Sequence, residues 1–197
     1  MANPVAQADG TLARARSGDE AAFLLLWREL QPRLLRYLRI TIGDEADDVA
    51  SETWLQVVRD LHRFRGGDDD FRGWVFTIGR NRAIDAARVR VRLQSRVTAA
   101  EVETVALPMP AGSLVEDQVL DELSTAQAVR LVAGLPHDQA EVVALRVIAG
   151  LDTAAVAGLL GKSAGAVRVA LHRGLRALAA DPRVRALEEV TGERRSS

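Results

Sequence analysis

Leu135-Pro136-His137-Asp138-Gln139-Ala140-Glu141-Val142-Val143-Ala144-Leu145-Arg146, then Gly150-Leu151-Asp152, then Gly161-Lys162-Ser163 and a run from Ala164 to Ala180 ahead of Pro182, is the stretch that decides the fold. Proline suits a first helical turn, so Leu135-Pro136 opens a helix that continues to Gly150. Asp152 is placed to cap a short helix over Thr153 to Leu160. Gly161 can end it in the left-handed conformation, and Ser163 can cap the next helix, Ala164 to about Ala180. Two helices across a Gly-Lys-Ser turn, with a third before them, outline a helix-turn-helix. On the last helix Val167, Leu171, Leu175 and Leu178 form an apolar stripe, leaving Arg168, His172, Arg173 and Arg176 facing outward.

Upstream lies the best linker in the chain, residues 97–128, with Pro108, Pro110, Gly112 and Ser113 and no strong apolar period. A second helical unit precedes it. Asp19 can cap a helix in which Phe23, Leu26, Trp27, Leu30, Leu34 and Leu38 recur at helical spacing, with Pro32 kinking it or starting another. Val49, Thr53, Trp54, Val57, Val58 and Leu61 form the next stripe, with Asp48, Glu52 and Gln56 on the opposite face. Arg63 to Asp70 is a loop around Gly66-Gly67, and a third helix spans about Phe71 to Arg92. Trp74, Val75, Ile78 and Ile84 lie largely on one side of it; Trp74 and Phe76 cannot both face one core. The expectation is an all-α chain of two small helical domains on a flexible acidic linker. Its parts are a tail at 1–18, a domain at 19–96, the linker at 97–128, a helix-turn-helix domain at 129–182 and a tail at 183–197.

A formal charge of −1 conceals segregation. From Arg63 to Arg96 the chain is dense in arginine, whereas Val97 to Val129 carries acids and no basic residue, an asymmetry that favours a nucleic-acid partner. Lys162 is the only lysine among 26 basic residues. The absence of cysteine excludes disulfides, thiolate metal sites and cysteine catalysis. No phosphate-binding glycine motif or Ser/His/Asp arrangement is present, and His62, His137 and His172 are scattered. Neither enzyme chemistry nor a cofactor is expected. Without a spanning apolar run or a signal-peptide pattern, a soluble cytoplasmic protein is the expectation.

The residues taken alone leave alternatives open. Arg168 and His172, one turn apart, suit base edges; Arg173 and Arg176 suit phosphates; Lys162 and Ser163 sit at a helix N-terminus where phosphate binds. The same face also fits a plain three-helix bundle with a solvated arginine side. The arginine-rich third helix, interleaved with Phe64, Phe71, Trp74 and Phe76, suits unstacked bases or a solvated amphipathic helix with an aromatic core. Asp44, Glu45, Asp47, Asp48 and Glu52 lack the pattern of a calcium loop, and suit a helix N-terminus or a docking face for a basic partner.

The combined motifs resemble the sigma-70 family of bacterial RNA polymerase sigma factors. Leu135-Pro136 through Leu145-Arg146, Gly150-Leu151, Leu160-Gly161 and Leu171-His172-Arg173 are similar to its C-terminal domain. Asp47-Asp48-Val49-Ala50-Ser51-Glu52-Thr53-Trp54-Leu55 resembles its polymerase-docking segment. Phe64-Arg65-Gly66 and Phe71-Arg72-Gly73-Trp74 through Arg80-Asn81 resemble its promoter-melting and minus-ten segment. The resemblance implies that Asp47, Asp48, Glu52 and Gln56 face the clamp of the largest polymerase subunit, with the flap of the second largest as a further contact. It implies that Arg65, Arg72, Asn81, Arg82 and Arg88 bind the minus-ten strand, where a base is flipped out and read. It assigns Lys162, Ser163, Arg168, His172 and Arg173 to the minus-thirty-five element. The two-domain form implies the extracytoplasmic-function group, whose members are commonly held inactive by an anti-sigma factor. At Arg168-Val169-Ala170 relatives usually carry a basic residue, Ser and Arg, so one expected contact is absent.

Overall fold

A computed structural model describes residues 4–97 and 116–184. Among these the chain is helical: α1 (Pro4–Arg16), α2 (Glu20–Ile42), α3 (Ala46–Asp60), α4 (Asp68–Val97), α5 (Glu116–Ala133), α6 (His137–Val143), α7 (Thr153–Leu160) and α8 (Ala164–Ala180). A tight 3-10 turn, Gly43–Glu45, links α2 to α3, and a wider π turn, Ala144–Ile148, extends α6.

The starts and stops follow from local hydrogen bonding. Asp19, Asp152 and Ser163 each stand in extended backbone and accept from the N–H three residues on, at 3.0, 2.7 and 3.1 Å. Gly161 adopts φ 63° and ψ 32°, the left-handed stop expected after α7. Gly67 N–H donates to the Asp70 carboxylate at 3.0 Å, closing the first turn of α4 as a capping box does. Asp70 Cβ is 2.7 Å from where a Gly66 Cβ would sit, and Gly66 has φ 144°, so glycine is required there.

α2, α3 and α4 surround an apolar core containing Leu34, Tyr37, Leu38, Val57, Val75 and Phe76, each fully buried. Each such side chain contributes roughly 1.5–3 kcal/mol of transfer free energy. Thr53 is the polar member of the buried stripe, and its hydroxyl donates to Val49 O at 2.7 Å. In the C-terminal half, α8 lies across α6, with Val142, Val143, Leu145, Val156 and Val167 buried. The two halves touch: α2 packs against α5, α6 and the π turn, and one apolar cluster runs through both.

Several expectations need correction. The tail expected over 1–18 contains α1, whose Leu12 and Ala15 are buried against the rest of the domain. The linker expected over 97–128 includes the first part of α5; its remaining residues 98–115 lie outside the described residues, as do 185–197 of the expected C-terminal tail. Pro32 neither ends nor restarts a helix, because α2 passes through it while Leu30, Leu34 and Leu38 stay buried on one side. Trp27, Val58 and Leu175, each expected in an apolar stripe, are exposed. In the second half of α8 the buried position is Gly174, where the crossing with α6 leaves no room for a leucine. Phe76 is fully buried edge-on to Tyr37, and Trp74 is the partly accessible member of the pair.

Candidate nucleic-acid interface

α7 and α8 meet at 104°, within the range of a helix-turn-helix. Ser163 fixes the start of α8, and the burial of Val167, with that of Gly174 against α6, fixes its rotation. Arg168, His172, Arg173 and Arg176 are therefore exposed together. Among the described residues none of the three arginines has an ion-pair partner. Positive charge left uncompensated on one exposed helix face is free for an anionic polymer. Lys162 differs. Its ammonium is 2.9 Å from Asp138, at the start of α6, and only 28% exposed, so it ties the turn to α6. Hydrogen bonding from Lys162 holds the Asp138 carboxyl below its usual range.

The second patch is on α4 and the loop before it. Phe64, Phe71 and Trp74 pack mutually, with ring centroids 5.0 to 5.9 Å apart, giving the loop a firm base. Arg65 donates to the carbonyls of His62 and Phe64 at 3.1 and 2.9 Å. Asn81 is exposed, and among the described residues Arg88 pairs with Asp85, one turn away, at 3.3 Å. Arg72 is less accessible: it lies 3.4 Å from Glu29 and 3.3 Å from Asp69, with 22% of its side chain exposed.

The third patch is the acidic face of α3. Asp47, Asp48 and Glu52 are exposed and Gln56 half-buried, as the period of four requires. The structure adds a connection that spacing does not reveal. Arg82 of α4 donates to Gln56 Oε1 at 3.2 and 3.0 Å and stands 3.7 Å from Glu52. An arginine expected at nucleic acid thus rests on residues expected at a protein surface.

Sequence reasoning missed Arg80 and Glu141. Arg80 Nε donates to Glu141 Oε1 at 2.8 Å, and Glu141 is almost fully buried. Tyr37 O–H reaches the same oxygen at 3.5 Å. Burial, reinforced by the Glu141 charge, pushes the Tyr37 phenol well above its ordinary range. The only signal in the sequence is a glutamate at a position the α6 stripe would fill with an apolar residue. Among the described residues no single helix is long and apolar enough to cross a membrane.

The chain matches the family model described as Sigma-70 region 2 over residues 26–93, and that described as Sigma-70, region 4 over residues 119–178. It is 33% identical over 173 residues to the ECF RNA polymerase sigma factor BldN of Streptomyces coelicolor, covering 84% of this chain and 62% of that protein. It is 34% identical over 185 residues to the ECF RNA polymerase sigma factor ShbA of Streptomyces griseus, covering 89% of this chain and 92% of that one. Among solved structures, the sigma factor RpoE in complex with the anti-sigma factor NepR, from Bartonella quintana, shares the fold. There the TM-score is 0.54 at 24% identity, over 77% of this chain and 92% of that one.

Proposed function

Because this chain belongs to the sigma-70 family of RNA polymerase sigma factors, in its extracytoplasmic-function group, we propose that it binds core RNA polymerase through α3, reads promoter DNA through α4 and α8, and performs no chemistry of its own. The observation that carries this reading is the exposed, uncompensated basic face of α8 in a chain whose α3 presents an equally exposed acidic face. Opposite charges on separate domains suit two different partners. Asp47, Asp48, Glu52 and Gln56 dock on the clamp helices of the largest polymerase subunit, and the C-terminal domain meets the flap of the second largest. Arg168 and His172 reach base edges of the minus-thirty-five element, Arg173 clamps its backbone, and Ser163 and Lys162 approach a phosphate at the start of α8. Lys162 must leave Asp138 to do so. The loop carrying Arg65 and Arg72, with Asn81, Arg82 and Arg88, holds the unpaired minus-ten strand.

Arg82 gives the proposal a coupling step. Its guanidinium is engaged by Gln56 and Glu52 in the free chain. When the clamp takes those acceptors, Arg82 becomes available to DNA, so promoter binding follows polymerase binding. An anti-sigma factor that holds the chain inactive in the cytoplasm completes the proposal; the shared fold with RpoE, solved with such a partner, is its support.

The test is co-purification with bacterial core polymerase, comparing the wild type with an Asp48→Arg, Glu52→Arg double variant. The wild type is expected to bind and the charge-reversed form to lose about tenfold or more in affinity. Failure of the wild type to bind core would reject the assignment, and equal binding by both would remove α3 from the interface.

A further inference from the structure

We propose that the duplex read by α8 contains a thymine whose 5-methyl group is recognised by Val169, in the space left open by Gly165. The inference rests on the promoter-binding reading above and names a base that this surface selects.

The first support is rotation. The burial of Val167 and Gly174 fixes which line of α8 faces outward. Val169 lies about 160° around the helix from Val167, and Gly165 about 180° from Gly174. These two are one turn apart, and His172 and Arg176 continue the same line at helical spacing. All four are exposed. Arg168 and Arg173 stand on the two flanks of the line. The residue at the centre of this basic face is therefore an apolar one, with 49% of Val169 exposed.

The second support is a glycine that the protein itself does not require. A methyl group at Gly165 would meet nothing nearer than the Ser163 hydroxyl at 3.9 Å, and the backbone there does not have a positive φ. Glycine is a poor helix former, so its place in the first turn of α8 weakens the helix without improving any internal contact. What glycine provides at an exposed position is close approach of an outside surface. That opening lies directly beside Val169, one turn toward the start of the helix, where base edges are met.

The third support is the chemistry of the groove. The major groove presents hydrogen-bond donors, acceptors and one apolar group, the thymine methyl. Valine can satisfy no donor or acceptor, so against guanine, adenine or cytosine it would strip water from a polar edge and return nothing. Against the methyl it gains the burial of two apolar surfaces. Its branched side chain has one favoured rotamer in a helix, so its methyl groups are held in a fixed position. The rise from Val169 to His172 is about 4.5 Å, little more than one base step of about 3.4 Å. The thymine therefore adjoins the base pair met by His172.

The test uses holoenzyme assembled from bacterial core polymerase and the full chain. Duplexes bound tightly by the wild type are selected from a random library. Each thymine of the selected minus-thirty-five element is then replaced in turn by deoxyuridine, which removes the methyl and keeps every hydrogen-bonding group. At one thymine the wild type is expected to lose about fourfold in affinity, the worth of one methyl group withdrawn from water. In Val169→Ala, a change that favours the helix, the same replacement is expected to matter by less than about twofold. Gly165→Leu meets open space within the protein, so its unfolding midpoint should not fall, while its affinity for the selected duplex falls about tenfold. A selected element without thymine would overturn the inference. So would affinity that no deoxyuridine lowers, or a loss as large in Val169→Ala as in the wild type. Wild-type binding by Gly165→Leu would overturn the part given to Gly165. Failure of the wild type to bind core, or to select any minus-thirty-five sequence, would defeat the promoter-binding reading itself, and it would show before any base is altered.

Discussion

Replacing Gly174 with alanine is expected to destabilise the C-terminal domain by about 1 kcal/mol, although alanine is the better helix former. A methyl group there would lie 2.7 Å from Val143 Cγ2, 3.4 Å from Gln139 Cβ and 3.5 Å from Leu135 Cδ1. Removing glycine from a helix gains about 0.5–1 kcal/mol. Forcing a methyl into a filled contact costs about 1–3 kcal/mol. The close neighbour is a β-branched side chain with one favoured rotamer in a helix, and Val143 is itself buried, so it cannot turn away. The cost wins. Two comparisons sharpen the test. At Gly79 the closest atom is Leu34 Cδ1, 2.8 Å away, the far end of a longer side chain that is itself fully buried, so Gly79→Ala should cost less than Gly174→Ala without being stabilising. At Gly158 in α7 nothing lies within 4 Å, so Gly158→Ala should stabilise by about 0.5–1 kcal/mol. Urea unfolding followed by far-ultraviolet circular dichroism gives the order. A Gly174→Ala protein at least as stable as Gly158→Ala would refute the packing argument, and with it the claim that this crossing sets the rotation of α8.

Two further outcomes follow from the same domain. Ser163→Ala removes the acceptor of the Ala166 N–H and should cost about 1 kcal/mol, while Ser163→Asp should recover most of it, both read from unfolding midpoints. The Asp138 carboxyl is held below 3.8 by Lys162, so its contribution is fully present above about pH 3.8 and is lost as pH falls through the lower folded value. The difference in melting temperature between wild type and Asp138→Asn should therefore shrink on going from pH 7 to pH 3; a gap independent of pH would remove the ion pair from the account.

Much of the molecule was legible before any coordinates. Asp19, Asp152, Gly161 and Ser163 sit where the structure caps or stops helices, because a cap is a bond between residues three apart. The exposed faces of α3 and α8 were equally legible, since a period of 3.6 sorts side chains whatever they pack against. α1 and α5 were not. α1 carries Gly10 and a single buried leucine, and α5 mixes acids into its first two turns, so neither shows a clean stripe. Leu175 was assigned to the core of α8 from its spacing, yet the close crossing with α6 gives that place to Gly174.

The sequence by itself determined α2, α3, α4, α6, α7 and α8, most of their ends, the two-domain order and the charged faces. Each of these depends on residues within a turn or two of one another, where backbone geometry alone decides who meets whom. Only the tertiary structure decided that Arg80 meets Glu141, that Arg82 rests on Gln56, and that Lys162 is spent on Asp138. Those partners lie 61, 26 and 24 positions apart in the chain. Many arginines could have met any of these acceptors; the packing of α4 against α3, of α6 against α2, and of the α7–α8 turn against α6 selected among them.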